Sequence, residues 1–157
     1  MSRLPTLFVS HGAPTYALAP GTAGPQLTAL GKSMDRPQAV LVISPHWMTR
    51  DLRIGAVARP ETIHDFGGFP SALYRLGYPV DGHPGFAKRA QQLLQAAGWA
   101  ATLDEDRGLD HGAWVPLMHL YPGADVPTCR RRSKSEPPCR PNIEPGVGAG
   151  LQRAGGG

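Results

Sequence analysis

Six histidines, at positions 11, 46, 64, 83, 111 and 119, are the residues of this chain best suited to chemistry near neutral pH. Neutral imidazoles bind divalent first-row metals, and two of them with a carboxylate leave coordination positions open on a non-haem Fe(II) ion for substrate and oxygen. His11 and His46 share a local pattern. Leu7, Phe8, Val9 and Ser10 precede the first, and the run Ala39 to Ser44 with Pro45 precedes the second. Each run reads as a strand, so each histidine falls at or just past a strand's carboxyl end, the rim where open α/β sheets bind ligands. Two such strands bring two imidazoles to one rim. A hydrogen-bonded structural role is open to any such histidine, but the repeated strand-Ser-His arrangement favours a metal-ligand role for this pair.

His64 lies in the loop PETIHDFGGFP, residues 60–70, which mixes titratable and aromatic groups on a glycine-bent backbone. Asp65 could orient a neighbouring imidazole there, or His64 could itself meet a substrate or cap backbone groups. His111 stands between Asp110 and Gly112 at the mouth of a helix, where it could donate or accept a proton or simply be fixed by Trp114. His83, just before a helix proline, and His119, within an apolar helix, read as structural.

The elements that must carry these residues follow from periodicity and punctuation. Strands are predicted at Leu7–Ser10, within Ala39–Trp47 up to its proline, at Arg53–Ala58, Trp99–Leu103 and from Asp125 to Thr128; helices are predicted over 25–32, 84–97 and 113–121. In the second helix Phe86, Ala90, Leu93, Leu94 and Ala97 form one apolar stripe, Pro84 suits the first turn and Gly98 the position after the last. Asp110 is placed to cap the third. Strands alternating with helices predict an α/β fold whose central sheet is mostly parallel or mixed and flanked by helices.

Composition narrows the function classes. The chain of 157 residues is 41% hydrophobic and 18% charged, ordinary for a globular domain, and has no long apolar stretch, so no membrane partner is expected. Its N-terminus lacks a secretory pattern, so a cytoplasmic location is expected. Cys129 and Cys139 make no CxxC pair, so neither zinc-finger nor redox chemistry is indicated. The net charge of +4 is local: residues 1–128 carry ten basic and ten acidic side chains, whereas 129–157 carry six and two. That last stretch also holds four prolines, six glycines and no aromatic residue, so it is expected to be a disordered basic tail beyond a single domain at 1–128. Arg130, Arg131, Arg132 and Lys134 read there as solvated, without aromatic partners for nucleic acid. The abrupt change after Thr128 also fits a shift of reading frame in a GC-rich gene.

The stretches SHGAPT, ISPHW, TIHDFGGFP, LYRLGYP and DHGAWVPL, in this order, resemble the class III extradiol ring-opening dioxygenases, in the DOPA 4,5-dioxygenase branch. The resemblance covers residues 6–128. It implies cleavage of a catechol, DOPA-like ring by O₂, using one Fe(II) or Zn(II) ion per site. It implies His11 and His46 as metal ligands, His111 as the acid/base residue, and His64 with Phe66 and Phe69 as the substrate pocket, the phenylalanines as apolar walls for the ring. The family's pattern continues with a GNxVHNL-like motif and a further ligand that do not occur in this sequence. Impaired catalysis, a sheet truncated at its C-terminal side and self-association through an exposed sheet edge are therefore expected. Against this stand two other readings: a zinc-dependent hydrolase using the same two histidines, and a non-catalytic fragment or pseudoenzyme.

Overall fold

The computed structural model describes residues 4–134 and shows an α/β fold built on one mixed sheet. Its strands are β1 (Val40–Thr49), β2 (Leu52–Gly55), β3 (Ala101–Asp104) and β4 (Thr128–Lys134), in the spatial order β1-β4-β2-β3. β1 pairs parallel with β4, β2 pairs parallel with β3, and β2 meets β4 antiparallel at Ile54 and Arg131. The helices are α1 (Ala23–Ser33), the single turn α2 (Ser71–Tyr74), α3 (Pro84–Ala96) and α4 (His111–Leu120), with a 3₁₀ turn at Pro14–Ala17.

Two apolar clusters hold these layers. One gathers Leu73, Tyr78, Val80, Leu109, Ala113, Trp114, Val115 and Leu117 around α4. The other seats Ala87 and Ala90 of α3 on Leu52, Ile54, Ala101 and Cys129 of the sheet. The buried stripe of α3 is narrower than its periodicity suggests. Ala87, Ala90, Phe86 and Leu94 face the sheet, while Leu93 is 55% exposed because it sits on the flank of the stripe, and Ala97 lies exposed past the helix end. The end of α3 matches its sequence. Gly98 has φ of +83°, its amide donates to the Gln95 carbonyl at 3.0 Å and that of Trp99 to Leu94 at 2.9 Å, a Schellman closure that needs a left-handed residue.

Three expectations are corrected. Residues Leu7–Ser10 are not a strand: they pair with no other strand in the described residues, and Leu7 and Phe8 are exposed. β1 does not end at Pro45 but runs on to Thr49, with its ladder to β4 broken between Ser44 and Met48. Pro45 has no amide to give the ladder, so the chain bulges there and pairing resumes beyond it. β1 is also less buried than its apolar composition suggests, since it is the outer strand of the described sheet and leaves Leu41 and Ile43 exposed.

The boundary expected at Thr128 also moves. Cys129 to Lys134 belong to β4, an inner strand, and Arg130 is 2% exposed rather than solvated. Its guanidinium pairs with the buried carboxylate of Asp110, donates to the Gly108 carbonyl and lies 4.8 Å over the Trp47 ring. A buried arginine persists only with such partners. The rest of the expected tail, 135–157, lies outside the described residues. No helix among those residues is long and apolar enough to cross a membrane.

Candidate metal centre

Three separate elements deliver imidazoles to one point. His11 follows the extended N-terminal segment, where Gly12 turns the chain with φ of +62° into the 3₁₀ turn. His46 sits on the bulge of β1, and His111 is the first residue of α4. His46 Nε2 lies 2.9 Å from His11 Nε2. The His46 and His111 ring centroids are 4.1 Å apart and those of His11 and His111 5.2 Å. One ligand nitrogen from each of the three falls within 4.8 Å of the others, a grouping that could hold a metal ion.

The close approach of β1 to the start of α4 depends on Gly112. A Cβ there would lie 2.5 Å from Ser44 Oγ and 2.7 Å from His46 Cδ2. Ser44 is not free to yield, since it is fully buried and its hydroxyl donates to Asp110 Oδ1 at 2.6 Å while accepting from the His46 amide at 3.2 Å. Gly112→Ala is expected to destabilise the fold by about 1–3 kcal/mol, the ordinary cost of overpacking, and to push His46 away from His111. Thermal denaturation would show the first effect, and histidine ring NMR shifts the second.

Asp110 occupies the N-cap position of α4 as its sequence suggests, but its carboxylate makes no capping bond. It is spent on Ser44 and Arg130. The cap comes instead from Asp65, far away in sequence. Asp65 Oδ1 accepts from the His111 amide at 2.9 Å and from His111 Nδ1 at 2.8 Å. A carboxylate accepts only, so Nδ1 carries a proton, and in the neutral ring Nε2 keeps its lone pair. Burial raises the Asp65 pKa, but the two bonds from His111 outweigh it and the net shift is downward. His11 and His46 are both shifted down from 6.5, first by burial and then by the neighbouring imidazoles, which keeps them neutral and available as ligands.

The other candidate residues lie on the Asp65 loop. His64 is not drawn into the trio: its Nε2 donates to the Leu76 carbonyl at 2.9 Å and its ring packs among Phe66, Tyr74 and Trp114. Phe66 is the link between the two groups, with its ring 5.6 Å from His111 and 5.5 Å from Phe69. Tyr74, in the LYRLGYP stretch but not singled out there, joins this aromatic wall 5.2 Å from Phe66. His83 accepts from the Phe86 amide as the α3 cap, and His119 bonds the Tyr16 carbonyl, so both serve the backbone.

Comparison with known proteins bears directly on this arrangement. The family described as the catalytic LigB subunit of aromatic ring-opening dioxygenase matches residues 5–143. The chain belongs to the LigB family. It is 42% identical over 146 residues to a 4,5-DOPA dioxygenase extradiol of Escherichia coli K12, covering 92% of this chain and 53% of that protein. It is also 42% identical over 129 residues to the protein of that name from Beta vulgaris, covering 80% and 48%. A crystal structure of an uncharacterized Escherichia coli K12 protein superposes with a TM-score of 0.57 at 34% identity, over 73% of this chain and 41% of that one. These relatives agree with the resemblance to the extradiol enzymes of the DOPA branch. The LigB chain described here spans about half the length of the curated relatives it matches.

Proposed function

We propose that these residues supply the metal-binding side of an extradiol dioxygenase site that opens a catechol, DOPA-like ring with O₂. The observation that carries this reading is the convergence of His11, His46 and His111 in a chain of the LigB family. The donor set fits the group: the imidazoles of His11 and His46, without thiolate, suit Fe(II) or Zn(II). His11 and His46 would hold one such ion, which supplies Lewis acidity toward the catechol oxygens and a position for O₂.

The remaining work falls to the chain's own side chains. His111 Nε2, with Nδ1 tied to Asp65, accepts a proton from the catechol and returns it to the opening ring. Phe66 and Phe69 give the ring an apolar wall, and His64 holds that wall by its bond to Leu76. The chain spans about half the length of these relatives, and low turnover is expected of the residues described here acting alone.

Anaerobic titration with Fe(II), followed by DOPA and air, tests the reading. Oxygen uptake and a yellow ring-opened product are expected, slow, and dependent on His11 and His46. Hydrolysis of an ester or amide probe without oxygen uptake would instead point to a zinc hydrolase, and retention of neither metal would leave a non-catalytic chain.

A further inference from the structure

We propose that Asp65 is a positioning residue of this centre, a single carboxylate that sets the tautomer and direction of His111 while facing the edge of His46. The inference rests on the reading of the three histidines as one site. It adds a residue that is neither a ligand nor a substrate contact in that reading.

The geometry is specific. Oδ1 takes both the amide and the Nδ1 proton of His111, at 2.9 and 2.8 Å, so the ring is fixed relative to its own backbone. Oδ2 faces His46 Nδ1 at 3.7 Å, too long for a hydrogen bond but close enough for a charge to favour a proton on that nitrogen. Protons drawn to both Nδ1 atoms leave both Nε2 atoms as acceptors. His46 Nε2 is the atom that meets His11. An imidazole held this way by a carboxylate is a better and better-aimed ligand or base.

Asp65 is itself held in place. The loop runs beside the entrance to α4 as a short ladder, with the Leu109 amide donating to Glu61 at 2.8 Å and the Ile63 amide to Leu109 at 2.7 Å. Trp114 Nε1 donates to the Ile63 carbonyl at 3.0 Å, two residues before the aspartate. Gly108 allows this approach, because a Cβ there would run into the Glu61 carbonyl. The loop therefore presents Asp65 from a fixed frame rather than a free tip.

A helix cap alone would explain the bond to the His111 amide but not the bond to the His111 ring nitrogen or the approach to His46. The test separates the two. In the metal-free full chain at pH 8, nitrogen-15 ring shifts are expected to show His111 as the Nδ1–H tautomer. In Asp65→Ala, and in the near-isosteric Asp65→Asn in case the alanine variant folds poorly, the Nε2–H form should become populated. Zinc affinity measured by calorimetry should fall by up to about 10-fold, the lower end for a ligand's outer partner, because Asp65 faces the ligand His46 without bonding it, and Asp65→Glu should restore part of both signals. Variants that lose only thermal stability, with tautomer and zinc affinity unchanged, would overturn the proposal and leave Asp65 as a cap. If the wild-type chain binds no zinc, the reading of the site fails; the tautomer signature still decides whether Asp65 sets His111.

Discussion

Trp114→Ala is expected to remove about 3–5 kcal/mol of stability, the range for deleting a fully buried tryptophan. Trp114 has no exposed surface and stands in the cluster with Leu73, Tyr78, Leu109 and Val115 that joins α4 to the loops around it. Truncation leaves a cavity that α4 cannot collapse into, since β1 contacts the same helix. It also strips the Ile63 carbonyl of its donor. Single domains are stable by only about 5–15 kcal/mol, so the variant should lie near the limit of folding. Urea denaturation checks this: the midpoint should fall sharply with little change in slope. Trp114→Phe keeps most of the volume and loses the hydrogen bond, so a smaller loss of about 1 kcal/mol is expected for it. A loss below about 1 kcal/mol for the alanine variant would show that α4 is not anchored through this residue. Because Ile63 leads to Asp65, the same variant should also loosen the grip on His111.

What the sequence made legible and what it hid differ by the range of the interactions involved. The strand-Ser-His pattern holds for His46, which β1 carries, but not for His11, whose preceding residues form no strand; the Gly98 closure of α3 was readable because it is set by its own neighbours. The motif spacing also singled out His111, which the structure sets beside them. Arg130 was misread because its burial depends on a partner in another element. Within CRRRSK nothing signals an inner strand, and the partners that make a buried guanidinium tolerable, Asp110 above all, lie in other elements. Asp65 had a local hint in IHDF, but which imidazole it serves is fixed by the ladder between Glu61–Ile63 and Leu109. The same holds for Asp110. Its place at the helix mouth was readable, whereas the diversion of its carboxylate to Ser44 and Arg130 was not. Leu93 shows the limit of periodicity itself, which gives the angular position of a side chain but not the width of the face that the sheet covers.

His46→Ala should have the largest effect on the site, because His46 makes the closest approach to each of the others. Its Nε2 meets that of His11 and its ring lies against His111. Loss of an outer partner of a ligand costs about 10- to 100-fold in metal affinity, and loss of the ligand itself should exceed that. Zinc or cobalt titration of the variant should therefore show no saturable site in the range where the wild-type chain is filled. The pH dependence of the wild type has a definite sign. Only neutral imidazoles bind the ion, and both His11 and His46 are shifted below 6.5, so affinity should be nearly flat above that value and fall as the pH drops through the depressed pKa values. The same depression means that these two histidines contribute to stability above pH 6.5 and lose that contribution on acidification, since the unfolded chain binds the protons more readily. His46→Ala removes one of the charges that holds His11 down, so the His11 pKa should move back toward 6.5. A variant that binds zinc as tightly as the wild type, with His11 unmoved, would mean that the imidazoles meet without forming a site.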